Sequence, residues 1–180
     1  MAVWEIRPEE PRDAAHIDAL VAKSFGPGRY AKSAWRLREG VLPEKRLSFV
    51  AIEGNVLRGS VRFWPIAVGG EKALLLGPLA VETGQRGRGI GIALMNRGVE
   101  EARALGHRAI ILVGDAPYYA RAGFAPLPAG KIKFPGPVDS ARILGLALVE
   151  GVLDSLGGDV RRPRIDDAVC ADGAAVAALV

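Results

Sequence analysis

The composition of the 180-residue chain, with 49% apolar and 24% charged residues, is that of one globular domain that needs no disulfide to build a core. The net charge is only +4, and no basic run is interleaved with aromatic residues, so we expect no nucleic-acid partner. Cys170, the single cysteine, excludes an intramolecular disulfide, and no stretch approaches the roughly 18 apolar residues that cross a membrane. We therefore expect a cytoplasmic protein without a membrane partner.

The first half of the chain predicts two helices between a first strand and a run of three strands. Residues 3–8 alternate as a strand, and residues 9–25 and 30–40 have the spacing of helices, the second closed by Gly40. Three further strands are predicted at 46–53, 56–68 and 71–81. Tight turns at 54–55 and 69–70 make these three strands an antiparallel meander.

The second half predicts alternating helices and strands. A helix over 89–105 precedes a buried strand at 107–114, a short helix at 115–124 with Asp115 as its N-cap, and a last strand at 141–151. The order of elements predicts an α/β (α+β) fold. Residues 164–180 end in an apolar, alanine-rich run, which is compatible with disorder or with docking on a neighbour.

Glycines concentrate in the sequence VETGQRGRGIGIALM (81–95), between a predicted strand and a predicted helix. Free N–H groups at a helix N-terminus attract anions, and glycine lets a phosphate approach the backbone. A Walker A loop would need Lys-Ser/Thr after its last glycine, and a Rossmann fingerprint would need a small residue where Ile92 stands. The stretch therefore predicts a phosphate-binding loop of another kind.

At this loop the sequence resembles the GNAT superfamily of acyl-CoA N-acyltransferases. Arg86, Gly89 and Gly91 match the family signature R/Q-x-x-G-x-G/A. LGPLAV (76–81) resembles the family's fourth strand, and YARAGF (119–124) resembles its Y-x-x-x-G-F signature. Residues 1–163 are thus similar to small, predicted bacterial acetyltransferases, and Cys170 and the tail 164–180 fall outside the resemblance.

The resemblance implies a mixed, mostly antiparallel central sheet with flanking helices, whose central strands 76–81 and 108–113 splay apart. Acetyl-CoA would be the cosubstrate, with no metal. Pro78 independently predicts an interruption of strand pairing, because proline in a central strand marks a bulge. The implied cofactor-binding residues are Leu79, Ala80, Val81, Arg86, Gly87, Arg88, Gly89, Ile90, Gly91 and Tyr119.

The reaction implied is direct transfer of acetyl from the thioester to an amine. Tyr119 matches the family's general acid, and a backbone N–H at Leu79 or Ala80 would polarise the thioester carbonyl. Tyr118 is interpreted as a core residue. Candidate bases are Glu53, Glu82, His16, His107 and Asp115, none of which the sequence favours. We expect proton removal through ordered water.

The acceptor would lie against 24–40 and the end of strand 56–68, with Trp35 and Trp64 in its pocket or in the core. Arg58 and Arg62 share a strand face with Trp64, which suggests an anionic acceptor. The acceptor would be a small-molecule or protein amine, and a homodimer is compatible with the family. A non-catalytic module that senses acyl-CoA is the alternative function.

Overall fold

The computed structural model describes residues 3–164, so Cys170 and the predicted tail beyond residue 164 lie outside the described residues. The strands are Trp4–Pro8 (β1), Ser48–Glu53 (β2), Val56–Val68 (β3), Glu71–Val81 (β4), Ala109–Val113 (β5), Ala125–Pro126 (β6), Ile132–Lys133 (β7), Ile143–Ala147 (β8) and Gly158–Arg161 (β9). The α-helices are Ala14–Phe25 (α1), Ser33–Arg36 (α2), Ile90–Ala104 (α3), Ala116–Ala120 (α4) and Val152–Ser155 (α5).

The strands form one mixed sheet in the order β1-β2-β3-β4-β5-β8-β6. Within that order only β4 and β5 run parallel, and every other neighbouring pair is antiparallel. β9 pairs with β3 and with the short β7. The mostly antiparallel sheet with flanking helices, and the predicted meander β2-β3-β4, are therefore confirmed.

Two predicted elements differ from the structure. The helix predicted over 30–40 is a 3-10 helix, Pro27–Ala31, followed by the single turn of α2, because Lys32 between them has an extended backbone (φ −72°, ψ 137°). The strand predicted over 141–151 is only β8, since Ser140–Arg142 forms a 3-10 turn. The chain after β8 adds α5 and β9, which the sequence pattern did not predict.

A β-bulge in β4 confirms the interruption that Pro78 predicts. Leu79 faces Val61 and Leu76 faces Phe63 across the ladder, so Gly77 and Pro78 together oppose one residue of β3. The extra residue inverts the alternation of side chains. Leu76 and Leu79, three positions apart, both pack on the α3 side, whereas Ala80 packs on the α1 side.

Helix α3 covers one face of the sheet through a stripe of buried side chains. These residues are Ile90, Leu94, Met95, Val99 and Ala102. Gly98 lies in the same stripe, and a Cβ placed there would be 2.3 Å from Cε2 of Phe63. The glycine inside this helix thus allows α3 to approach β3 closely, which fixes the height of the helix N-terminus above the sheet.

The opposite face carries two smaller layers. Ile17, Leu20 and Val21 of α1 pack on β2 and β4 at one end. At the other end, side chains from the C-terminal segments cover the sheet, among them Ile132, Phe134, Val152, Leu156 and Val160. Between these layers lie the segment 26–40 and the open end of the sheet, where the candidate site is found.

Replacing Gly98 by alanine is expected to lower the free energy of unfolding by about 1–3 kcal/mol, because the new methyl group overpacks against Phe63. This loss should exceed the gain of up to about 1 kcal/mol in helix propensity. Urea denaturation of Gly98→Ala measures it, with Asn96→Ala as the control, since Asn96 is exposed on the same helix. Equal stability of the two variants would contradict the close packing.

Candidate active site

Strands β4 and β5 part at the centre of the sheet. Their pairing comprises Leu74 with Ile110 and Leu75 with Ile111. Beyond Leu75, β4 runs on to Val81 with β3 as its strand partner in the described part of the chain. The splay predicted between these strands is therefore present, and it leaves a cleft lined on one side by an unpaired edge of β4.

The hydrogen-bond pattern decides which backbone groups face the cleft. The N–H of Glu82 donates to the carbonyl of Arg58 on β3 at 2.9 Å. Backbone groups alternate in direction along a strand, so those of Ala80 also point to β3, and those of Leu79 and Val81 point into the cleft. The prediction that Ala80 exposes its backbone there is thus corrected, because its amide lies on the β3 side.

Two cavities open along the cleft and share part of their walls. The loop cavity, about 460 Å³, lies against the glycine-rich loop and is lined by Ser24, Phe25, Leu79, Ala80, Val81, Gln85, Arg86, Gly87, Gly89, Ile90, Gly91, Ile92, Asp115, Tyr118, Tyr119 and Arg121. The tryptophan cavity, about 450 Å³, is lined by Phe25, Arg29, Lys32, Ser33, Ala34, Trp35, Arg38, Leu76, Gly77, Pro78, Leu79, Val113, Gly114, Asp115, Tyr119, Pro137, Val138, Asp139 and Arg142. Both walls contain Phe25, Leu79, Asp115 and Tyr119.

The glycine-rich loop ends at the N-terminus of α3. Gly87 and Gly89 have φ of 83° and 81°, a left-handed conformation that side chains disfavour. Gly89 is the N-cap, and its carbonyl accepts the first helical hydrogen bond, from Ala93 N–H at 3.0 Å. The amides that begin the helix thus have no intrahelical acceptor, and together with the helix dipole they favour an anion.

The two arginines of this loop have different surroundings. Arg86 lines the loop cavity, as predicted. Arg88 lies outside its wall and forms an ion pair with Glu53 at 2.9 Å. A carboxylate of the protein thus already pairs with this guanidinium, and the predicted contact of Arg88 with the cofactor stays a prediction.

Tyr119 stands where the two cavities meet. Its ring packs edge-on against Tyr118 and Phe124, with centroid distances of 5.2 and 6.1 Å. Gly114 makes room for it, since a Cβ at that position would be 2.2 Å from Cε2 of Tyr119. Burial raises the pKa of Tyr119 to about 12, so the phenol keeps its proton at neutral pH.

Tyr118, interpreted from the sequence as a core residue, is half-buried and packs against the core below α3. It also lines the loop cavity. Its hydroxyl lies against Gly91, where a Cβ would be 2.1 Å from the oxygen. Gly91 is therefore required by this contact at the start of α3.

Most of the predicted bases lie away from the cavities or are already bound. Glu53 and Glu82 accept from Arg58 at 2.9 and 2.6 Å, and the hydrogen bonds from Arg88 and then Arg58 hold the pKa of Glu53 below its usual range. His16 and His107 lie outside the walls of both cavities. Asp115 occupies the N-cap position of α4 as predicted, but its side chain makes no capping bond. Its exposed carboxylate instead lines both cavities.

The tryptophan cavity is bounded by stacked aromatic and guanidinium groups. Trp35 meets Tyr30 edge-on at 5.5 Å, and the Arg38 guanidinium lies 5.2 Å from the centre of the Trp35 ring. Trp64 is only 9% exposed and lines a smaller neighbouring cavity that Trp35 and Arg38 also line. Its indole N–H donates to the carbonyl of Gly77 at 2.6 Å, which holds the bulge of β4.

The structure corrects the prediction that Arg58 and Arg62 form an anion site beside Trp64. Arg58 points away from the tryptophan cavity, between Glu53 and Glu82. Arg62 makes a double hydrogen bond to the carboxylate of Glu9 at 2.6 and 2.8 Å. Both guanidinium groups are therefore neutralised by carboxylates of the protein itself.

Within residues 3–164 there is no group of three or more His, Cys, Asp and Glu side chains that could hold a metal ion. The same residues contain no helix of the length and apolarity needed to cross a membrane.

The chain is similar in sequence to one protein family and to two bacterial proteins. The model of the acetyltransferase (GNAT) family matches residues 9–124. The chain is 38% identical over 121 residues to the N-acetyltransferase YhbS of Escherichia coli strain K12, covering 66% of this chain and 72% of that protein. It is 32% identical over 130 residues to YjhQ of the same strain, covering 69% and 71%. The chain belongs to the GNAT family of acetyltransferases.

Solved structures agree with this GNAT assignment. A crystal structure of E. coli YhbS in complex with CoA has a TM-score of 0.77 and 30% identity, covering 91% of each chain. A GNAT acetyltransferase from Brucella melitensis in complex with acetyl-CoA has a TM-score of 0.67 and 30% identity, covering 91% of this chain and 97% of that one. The similarity thus extends over nearly the whole fold.

Sequence reasoning missed two residues of this GNAT site. Gly114 was assigned only to the end of a strand, although it accommodates the ring of Tyr119. Arg38 was included in a predicted helix without a role. Its position three residues after Trp35 was the available indication, because side chains at that spacing lie on one side of a helical turn.

Trp64→Phe is expected to lower the free energy of unfolding by about 1–3 kcal/mol, because the buried carbonyl of Gly77 loses its donor. Urea denaturation measures the loss. Trp4→Phe is the control, since Trp4 is a partly buried indole that packs against the core below α3. If both variants lose the same stability, the hydrogen bond to the bulge contributes nothing specific.

Proposed function

We propose that this chain moves an acetyl group from acetyl-CoA to a primary amine by direct transfer. The observation that carries the proposal is the wall shared by the two cavities, which contains both Leu79 and Tyr119. A thioester that reaches this wall from the loop cavity would meet an amine that arrives from the tryptophan cavity. The CoA and acetyl-CoA complexes of the E. coli and Brucella relatives support the choice of cosubstrate.

The loop cavity has the features that a CoA molecule requires. The free amides at the start of α3, from Gly87 to Gly91, would hold the diphosphate, and Arg86 would add positive charge. The unpaired edge of β4 would accept the pantetheine arm as an added strand. Since Leu79 and Val81 direct their backbone groups into the cleft, these two residues would make the hydrogen bonds.

The chemistry requires three groups at the shared wall. The amine nitrogen attacks the thioester carbonyl carbon, and the N–H of Leu79 stabilises the oxygen as it gains charge. The C–S bond then breaks, Tyr119 donates its proton to the departing thiolate, and the phenolate takes a proton back from water. The amine gives up its extra proton through water in the tryptophan cavity. The exposed carboxylate of Asp115 lines this cavity and would accept the proton from that water. The products are an amide and CoA.

Gly89→Ala is expected to weaken CoA binding about tenfold, because an alanine at φ 81° costs roughly 1–2 kcal/mol and displaces the helix-starting amides. Calorimetric titration of CoA measures the change. Gly84→Ala is the matched control, since Gly84 lies in the same segment with ordinary φ and open space around it. Equal affinities of the two variants would contradict the role of the loop.

Tyr119→Phe is expected to lower kcat about 100-fold and to change the KM for acetyl-CoA little, because the proton donor is lost and the ring is kept. Thiol release with a panel of amines measures both constants. The hydroxyl of Tyr118 lies against Gly91, so Tyr118→Phe should affect acetyl-CoA binding rather than kcat.

The pH dependence of kcat in the wild-type protein also tests Tyr119 as the general acid. A pKa of about 12 keeps Tyr119 protonated, so kcat should show no fall due to this residue below pH about 10. A fall centred near pH 8 would contradict the assignment of Tyr119 as the acid.

Binding of acetyl-CoA without turnover over a broad amine panel would favour the alternative, a non-catalytic module that senses acyl-CoA. The cytoplasmic location and the homodimer stay predictions from the sequence.

A further inference from the structure

Arg38 lies in the wall of the tryptophan cavity without a carboxylate partner among residues 3–164. Its buried Nε has no hydrogen-bond partner in this part of the chain. The guanidinium is held between two indole rings, at 5.2 Å from the centre of Trp35 and 5.9 Å from that of Trp64. This arrangement differs from that of Arg58 and Arg62, which carboxylates of the protein neutralise.

An uncompensated guanidinium at such a position is unfavourable for the folded protein. Burial lowers the pKa of Arg38 to about 9, so the group is still cationic at neutral pH. The cost of removing a charge from water is offset when an anion with good hydrogen-bond geometry meets it. Since residues 3–164 supply no such anion, a ligand is the natural counterpart.

The position of Arg38 relates it to the point of acetyl transfer. A Cβ placed on Gly77 would be 2.9 Å from its Nη2, so the guanidinium lies beside the bulge, two residues before Leu79. The negatively charged form of Tyr119 is near enough for Arg38 to lower the pKa of that phenol, against the larger effect of burial. An anion on Arg38 would therefore lie close to the shared wall.

The other charged groups of the tryptophan cavity also favour an anionic ligand. Arg29, Lys32 and Arg142 are cationic, and the carboxylates are those of Asp115 and Asp139. Asp139 already accepts a hydrogen bond from the N–H of Ala141 at 3.0 Å. With Arg38, four cations stand against two carboxylates in this wall.

We propose that the acceptor is a small amino acid-like molecule whose carboxylate binds Arg38 while its amine faces Leu79 and Tyr119. A planar guanidinium binds a carboxylate through two parallel hydrogen bonds. The bulge beside Arg38 lies only two residues from Leu79 along β4. An acceptor that reaches both points therefore has its carboxylate close to its amine, as an amino acid does. The aromatic rings of Trp35 and Phe25, which line this cavity, favour an apolar side chain on the acceptor. This inference rests on the proposed function.

The test compares two acceptors that differ in the carboxylate alone, phenylalanine and phenethylamine, at equal concentrations of neutral amine. The wild type should acetylate phenylalanine with the higher kcat/KM. In Arg38→Met the ratio of the two kcat/KM values should fall roughly 30-fold, because the bidentate contact is lost. Arg36→Met is the matched control, since Arg36 is exposed on α2 and lies outside the tryptophan cavity, and it should keep the wild-type ratio.

Binding gives a second readout that does not need turnover. N-acetylphenylalanine should bind the CoA-loaded wild type at least tenfold more tightly than CoA-loaded Arg38→Met, and N-acetylphenethylamine should show no such difference. Thermal unfolding distinguishes a structural role: Arg38→Met should match or exceed the wild type, because a partly buried charge without a carboxylate partner among residues 3–164 is removed.

The outcomes separate this inference from the proposed function. Faster acetylation of phenethylamine by the wild type, or an equal loss for both acceptors in Arg38→Met, would overturn the inference and leave acetyl transfer intact. Failure of every amine to react would overturn acetyl transfer, and the binding measurement would still decide whether Arg38 holds a carboxylate.

Discussion

The site depends on the loss of pairing between β4 and β5 after Leu75 and Ile111. A sheet that remained paired to the end of β4 would have no cleft, no free amide at Leu79 and no wall common to two cavities. The bulge at Gly77 and Pro78 contributes to the same result, because it changes which side chains and which amides of β4 face each direction. Trp64 fixes that bulge from the far side through the carbonyl of Gly77.

Packing on the two faces of the sheet keeps this open region in place. The close approach of α3 to Phe63 at Gly98 sets the position of the glycine-rich loop on one side. On the other, α1 packs on Ala80 and the irregular segment 26–38 carries the guanidinium and indole groups. The hydrophobic core on both faces thus supports the end of β4, where the backbone lacks hydrogen bonds to β5.

Local patterns in the sequence predicted most of the fold and the loop side of the site. Alternation, turn residues and the motif around Gly89 and Gly91 are local, and the structure agrees with them. The ion pairs of Arg58 with Glu82, Arg62 with Glu9 and Arg88 with Glu53 join residues far apart in sequence, so no local pattern could predict them. The spacing of Trp35 and Arg38 indicated only that the two side chains lie together, because the lack of a carboxylate partner among residues 3–164 appears only in the folded structure.

The wall shared by the two cavities bears on the order in which the two substrates of the proposed transfer would bind and leave. Because the two cavities share only the wall with Phe25, Leu79, Asp115 and Tyr119, the proposed transfer would let two molecules occupy the cleft together. Under the proposed function, neither molecule would have to leave before the other arrives, so no acyl group would be stored on the protein between two half-reactions. Steady-state kinetics of such an arrangement follow a sequential pattern with a ternary complex, in which double-reciprocal plots intersect.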